Sequence, residues 1–268
     1  ISAILDFLEG KFKLNNLRIL KQFNGCCFAD LDLKQQGVIE DFQLLFYIIQ
    51  PPTPERVKYD IFDRVNRGGT PLNKQEMRNA LYRGRCTRML DKLCCSPEFL
   101  IATGRSINKE RMKDQYVVLR AIAFLMLHRG EFKDIPALQY RGDIDDFLAR
   151  FMVYVNDNAP EKLIVDYENL FIRCMQISYD LLGENGFRFS GNGIRRPINM
   201  PLFEALSYLF SFVPEKIDYT WASRLILDIE SVKEEFDDSR YFSGNIDSTT
   251  SVSFRFDRMD KIINRIQL

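Results

Sequence analysis

Apolar and polar positions change their spacing once along this chain. Before residue 50 the apolar residues fall in short runs. Lys11 to Leu14 and Leu17 to Leu20 lie on either side of Asn15-Asn16, which reads as two strands joined by a hairpin turn. Phe42 to Ile49 is too apolar for a strand with one wet face and predicts a buried one. A helix running from Ser2 and closing on Gly10 precedes these strands, and Leu33 to Glu40 reads as a short helix between them. Pro51, Pro52 and Pro54 then punctuate the chain. Beyond them the period becomes helical, first through Val57, Ile61, Phe62 and Val65, then Leu72, Met77, Ala80 and Leu81, then Met89, Leu90 and Leu93. Longer helices are predicted at about 109–128, 143–157, 160–182, 200–213, 217–236 and 253–267. The fold class that follows is α+β, mostly α: residues 1–52 as a small β-containing part and 53–268 as a helical domain. Because the chain opens inside a helix, a fragment of a longer protein is expected.

Composition narrows the chemistry. The 268 residues are 46% hydrophobic and 28% charged, as in a soluble globular protein with a core of its own. No apolar stretch reaches the roughly 18 residues that a membrane span needs, so no membrane partner is expected. His128 is the only histidine, which excludes a two-histidine metal nuclease and an H-E-x-x-H zinc site; no zinc and no haem are expected. It ends the apolar run Ala121 to Leu127 and reads as a helix-end residue rather than a triad base. The six cysteines form no C-x-x-C and read as reduced thiols of a cytoplasmic protein. Trp221 reads as a core residue.

The segment from Tyr59 to Gly84 is the most informative. It reads as a helix, a glycine turn at Gly68-Gly69 and a second helix started by a capping box of Asn73 and Glu76. Two interpretations stand side by side: a helix–turn–helix corner without a ligand, or an anion-sized site of two glycines, a helix N-terminus, Arg64, Arg67 and Arg78, suited to phosphate. From Arg78 to Lys113 nine basic residues (Arg78, Arg83, Arg85, Arg88, Lys92, Arg105, Lys109, Arg111 and Lys113) face only Asp91, Glu98 and Glu110, although the whole chain is neutral, with 37 residues of each sign. Such segregation marks a nucleic-acid-facing surface or a solvated helix face. The loop from Gly191 to Arg196 pairs glycines with two arginines and is a weaker phosphate candidate. Arg111 and Asp114 read as an i,i+3 ion pair on one helix.

At Phe62 to Ala80, through Asp63, Arg64, Asn66, Gly68, Gly69, Leu72, Glu76, Arg78 and Asn79, the sequence resembles the ParB/sulfiredoxin-like domain of GmrSD-type, modification-dependent restriction enzymes, known as domain of unknown function 262. Ile1 to Leu14, Arg111 to Arg120, Gly183 to Arg188 and Ser251 to Arg255 follow the family in plausible order, so the resemblance covers most of the chain. It implies that residues 1–52 are the C-terminal part of a ParB-like α+β domain. The family's Asp-Gly-Gln-Gln-Arg-type signature, implicated in nucleotide-dependent activity, would end just before Ile1, so catalytic residues are expected upstream of it. The implied nucleotide- and phosphate-binding residues are Arg64, Asn66, Gly68, Gly69, Glu76, Arg78 and Asn79, with NTP and Mg²⁺ as the implied cofactors. The histidine-dependent nuclease domain of DNA-cleaving members would be a separate partner. Two functions follow as expectations. One is a nucleotide-dependent component of a prokaryotic DNA restriction or anti-phage defence system, with NTP bound and hydrolysed in the intact protein. The other is a non-catalytic scaffold that binds DNA through the basic segment, including Arg83, Arg85, Arg88 and Lys92, and positions a partner nuclease.

Overall fold

The computed structural model describes residues 2–46, 48, 57, 61, 64, 71–190, 195–214, 216 and 218–266. Two compact units divide the chain, Ile1–Pro54 and Glu55–Leu268, against an expected boundary after residue 52.

In the first unit, α1 (Ser2–Leu8) buries Phe7 against the rings of Phe12 and Phe28, at centroid distances of 5.6 and 6.0 Å. Gly10, at φ 72°, closes the helix: its N–H donates to the Phe7 carbonyl and that of Lys11 to Asp6. Asp32 starts α2 (Leu33–Glu40) through a capping box with Gln35.

The expected β part is corrected: among the described residues there is no strand. Backbone groups of the supposed hairpin are bonded elsewhere. Leu14 donates to Cys26 and accepts from Gly25, while the Leu17 N–H donates to the Asn24 side chain, so Lys11–Leu14 and Leu17–Leu20 do not pair with each other. Alternation predicts a strand only where a partner edge is within reach. In Phe42 to Ile49, Tyr47 and Ile49 lie outside the described residues; the others are irregular and exposed, Ile48 at 80%.

The second unit is helical among its described residues: α3 (Lys74–Leu81), α4 (Arg85–Cys94), α5 (Pro97–Ala102), α6 (Lys113–His128), α7 (Ile144–Asp157), α8 (Glu161–Leu182), α9 (Met200–Phe210), α10 (Tyr219–Asp237) and α11 (Thr249–Ile266). Side chains of Asn73, Ser96, Asp143, Asn199 and Asp218 accept from first-turn N–H groups and fix five helix starts. At the centre lie α6 and α9, packed on each other and apolar nearly all round, with α5–α8 and α9–α11 as the next most extensive contacts. Ala121 and Ala123 are small enough to let the helices around α6 approach closely. Phe203 of α9 anchors one half of the core, with the rings of Phe187, Phe99 and Phe171 at 4.3, 6.2 and 6.3 Å. Trp221 is half-buried and packs against this core.

The helix expected at 109–128 begins at Lys113. Arg111 and Met112 both adopt left-handed backbone, φ 56° and 57°, which breaks the helix ahead of it. The i,i+3 pair with Asp114 is therefore corrected. Arg111 reaches Glu76 at 3.0 Å and the Pro71 carbonyl at 2.6 Å, while the buried Asp114 accepts from the Gln115 N–H.

Phe203 is fully buried among aromatic rings. Phe203→Ala is expected to destabilise the protein by about 3–5 kcal/mol, measured by urea denaturation. A loss below about 1 kcal/mol would show that this half of the core is loosely packed.

Candidate functional site

The interior of the helical unit holds charge as well as aromatic rings. Arg78, Arg120 and Arg255 are each no more than 1% exposed and rank among the largest fully buried side chains. An unpaired guanidinium there would be costly, because desolvation is repaid only by good geometry and matched carboxylates. Each of the three has such a partner.

Glu204, on the all-buried α9, receives the Arg120 Nε of α6 on one oxygen and the Arg255 Nη2 of α11 on the other, the latter at 2.6 Å. Three helices are thus joined through one carboxylate. Asp247, in the turn before α11, accepts from Arg120 Nη2 at 2.6 Å and Nη1 at 3.3 Å. Arg255 Nη1 donates to the Ile246 carbonyl at 2.7 Å, and the Tyr140 hydroxyl donates to the Asp247 carbonyl. Burial works against the charge of Arg120, yet Glu204 and Asp247 raise its pKa further.

Tyr116 connects this centre to the α3 corner. Its hydroxyl accepts from Arg120 Nη1 at 3.0 Å, and the guanidinium carbons of Arg78 and Arg120 lie 5.3 and 5.5 Å from its ring centroid. Arg78 Nη1 donates to Asp145 at 2.8 Å, and Lys74 pairs with the other Asp145 oxygen. Burial works against the Asp145 carboxylate, but Lys74 and Arg78 bring its pKa below the usual range.

The sequence-predicted residues fall into three groups. Asn66, Gly68 and Gly69 lie outside the described residues. Arg64 is helical and exposed. Glu76, Arg78 and Asn79 share α3 but are engaged within the protein. The Glu76 carboxylate caps the Asn73 N–H at 2.7 Å and pairs with Arg111, and its pKa is lowered by Arg111 and then by the Asn73 N–H. A carboxylate so neutralised does not fit the role of a Mg²⁺ ligand. Asn79 accepts from Gln75 and donates to Gln115, which in turn donates to Asp91.

Of the expected DNA-binding residues, Arg85 pairs with Glu161 and Lys92 with Glu168. Arg83 and Arg88 are exposed and make no side-chain ion pair or hydrogen bond among the described residues, as do Arg105, Lys109 and Lys113 of the same segment. In the weaker candidate loop, Arg195 pairs with Glu184 and Arg196 with Asp237, leaving neither free for phosphate. Gly104, at φ 58°, lets Arg195 pass: a Cβ there would lie 1.9 Å from its Nη2.

Periodicity gave no sign of Arg120, Glu204, Asp247 or Arg255. Arg188 is buried as well. Arg188 donates to the carbonyls of Glu184, Arg196 and Thr103 and to the Ser106 hydroxyl, clasping the chain between α5 and α6 to the chain between α8 and α9.

His128 stacks on Phe256 at 3.6 Å, its Nε2 buried without a partner among the described residues. Burial, with Arg255 nearby, lowers its pKa to about 3, and burial pushes the thiols of Cys86, Cys94 and Cys174 up. None of these four is a base or nucleophile at neutral pH. Among the described residues no cluster of three or more His, Cys, Asp or Glu could hold a metal ion, and no helix is long and apolar enough to cross a membrane. Comparison with family models, with curated proteins and with solved structures finds no match.

The depressed His128 pKa carries a sign. Between about pH 3 and 6.5 the unfolded state binds a proton here that the folded state does not. This contribution to stability is complete above about pH 6.5 and is lost as pH falls, by at most about 1.4 kcal/mol per unit. His128→Phe, which keeps the stack on Phe256, is expected to flatten the stability–pH profile across that window by about one proton. Profiles of equal slope, measured by denaturant titration, would refute the assignment.

Proposed function

We propose that this chain belongs to a prokaryotic DNA restriction or anti-phage defence system, and that its helical unit is a non-catalytic scaffold facing the nucleic-acid backbone and positioning a partner nuclease. One observation carries the reading: within the segment of basic surplus, Arg83, Arg88, Arg105, Lys109 and Lys113 are exposed and have no carboxylate partner among the described residues. Cations already held by carboxylates must surrender those pairs before meeting phosphate; these five need not. The arginines and lysines fixed in pairs, Arg78, Arg85, Lys92 and Arg111, build the scaffold behind them. Phosphate contacts of this kind give affinity without sequence information, which suits a positioning role.

A second reading keeps nucleotide dependence. Arg64 is exposed and helical, four residues ahead of Gly68 and Gly69, which the family resemblance singles out. NTP with Mg²⁺ would then meet Arg64, because Glu76 and Arg78 are committed elsewhere. Calorimetry with ATP or GTP and Mg²⁺, on the chain and on Arg64→Ala, separates this reading from the first.

Duplex DNA binding, followed by fluorescence anisotropy across a salt series, tests the scaffold. Each phosphate neutralised contributes about −0.9 to the log–log slope. The Arg83→Ala, Arg88→Ala double variant is expected to make the slope shallower by about 2 and to weaken binding equally for unrelated sequences. Binding without salt dependence, or an unchanged slope, would refute the scaffold.

A further inference from the structure

The geometry points to an oxyanion site on Arg120 that the protein fills with its own Asp247, held there by a strap, residues 244–247, able to exchange with an external carboxylate- or phosphate-type anion. This inference does not rest on the nucleic-acid reading.

Charge is the first argument. Glu204 is one carboxylate shared between two buried guanidinium groups, Arg120 and Arg255. Without Asp247 the cluster would carry a net positive charge inside the core, which burial strongly disfavours. That balancing anion is supplied by the turn before α11 rather than by any of the three helices that the cluster joins.

Access is the second. Arg120 is 1% exposed, but its partner Asp247 is 26% exposed, so solvent reaches the carboxylate of the pair. Among the described residues, Arg255 Nε is buried without a hydrogen-bond partner.

The bonding of the strap is the third. Its ties to the helical unit present oxygen acceptors to donors: the Asp247 carboxylate to Arg120, the Asp247 carbonyl to Tyr140, the Ile246 carbonyl to Arg255 and the Asn245 carbonyl to the Ser251 hydroxyl. An oxyanion on Arg120 would offer its guanidinium oxygens of the same kind as the Asp247 carboxylate does. Gly244, at φ 76°, begins the strap with a backbone conformation that side chains rarely adopt. Because Asp247 is tethered, it competes at a high effective concentration, so an external anion enters only when abundant or when a tie is loosened.

Hydrogen exchange of the strap amides tests this on the full chain, with inorganic phosphate, acetate or chloride at matched ionic strength. Phosphate or acetate, whichever is the preferred class, is expected to speed exchange at residues 244–247 at least about tenfold over chloride. Asp247→Ala is expected to bind that anion at least about tenfold more tightly than the wild type and to gain thermal stability from it. If Asp247→Ala does not fold, Tyr140→Phe carries the test: it removes one tie, leaves the Asp247–Arg120 pair intact, and should reduce the anion concentration needed for strap opening several-fold. Strap exchange indifferent to all three anions in the wild type and in Tyr140→Phe would overturn the proposal. So would an Asp247→Ala protein that gains no more from phosphate or acetate than from chloride. Either result would leave Asp247 a fixed counter-ion.

Discussion

Glu204 sits fully buried on a helix with almost no wet face, and the helical unit is arranged so that its charge is met. Arg120 reaches it from α6 and Arg255 from α11. Apolar contacts alone would allow these helices to slide or rotate at modest cost, since hydrophobic burial has no direction. A carboxylate bridging two guanidiniums does not tolerate such shifts: movement of one helix strands a charge in low dielectric. The register of α6, α9 and α11 depends on this contact, and Phe124, His128, Tyr208 and Phe256 pack in the register it sets.

The same constraint shapes the candidate function. Through Tyr116 the buried cluster extends to Arg78 and Asp145, so the α3 corner is tied to the core. A corner held in this way supports a rigid surface better than it supports a site whose arginine must swing onto phosphate. The cations of the segment that have no carboxylate partner among the described residues are exposed, which is why the proposed scaffold uses Arg83 and Arg88 and leaves Arg78 in place. The strap then acts as the one removable part of an otherwise closed charge cluster.

Sequence periodicity made the long helices legible for a simple reason. From residue 113 onward their apolar faces repeat every three to four positions, and Asp143, Asn199 and Asp218 mark starts by capping. Ala121 to Leu127, apolar without interruption, foretold a buried helix end, and His128 proved to be a neutral ring stacked there. The hairpin misled because alternation at Lys11–Leu20 says nothing about whether a partner strand lies beside it. Arg111 misled because a left-handed pair of residues breaks the helix that spacing alone would continue. The buried arginines were illegible to any pattern that treats charge as solvated: Arg120 stands between the apolar runs Val117–Leu119 and Ala121–Leu127. Glu204 and Asp247 supply the carboxylates that let Arg120 and Arg255 be buried.

The central claim is that Glu204 and Arg255 act as a unit. A double-mutant cycle of Glu204→Leu and Arg255→Met, followed by urea denaturation, tests it most directly. Glu204→Leu strips buried Arg255 of its carboxylate, and Arg255→Met leaves Glu204 and Asp247 to share Arg120 alone, so each single variant unbalances the buried cluster and should lose about 3–5 kcal/mol. The double variant leaves Arg120 paired with Asp247 and should recover at least about 2 kcal/mol of the summed loss. Losses that add to within about 0.5 kcal/mol would contradict the account, because two residues that do not couple cannot set the register of the helices that carry them.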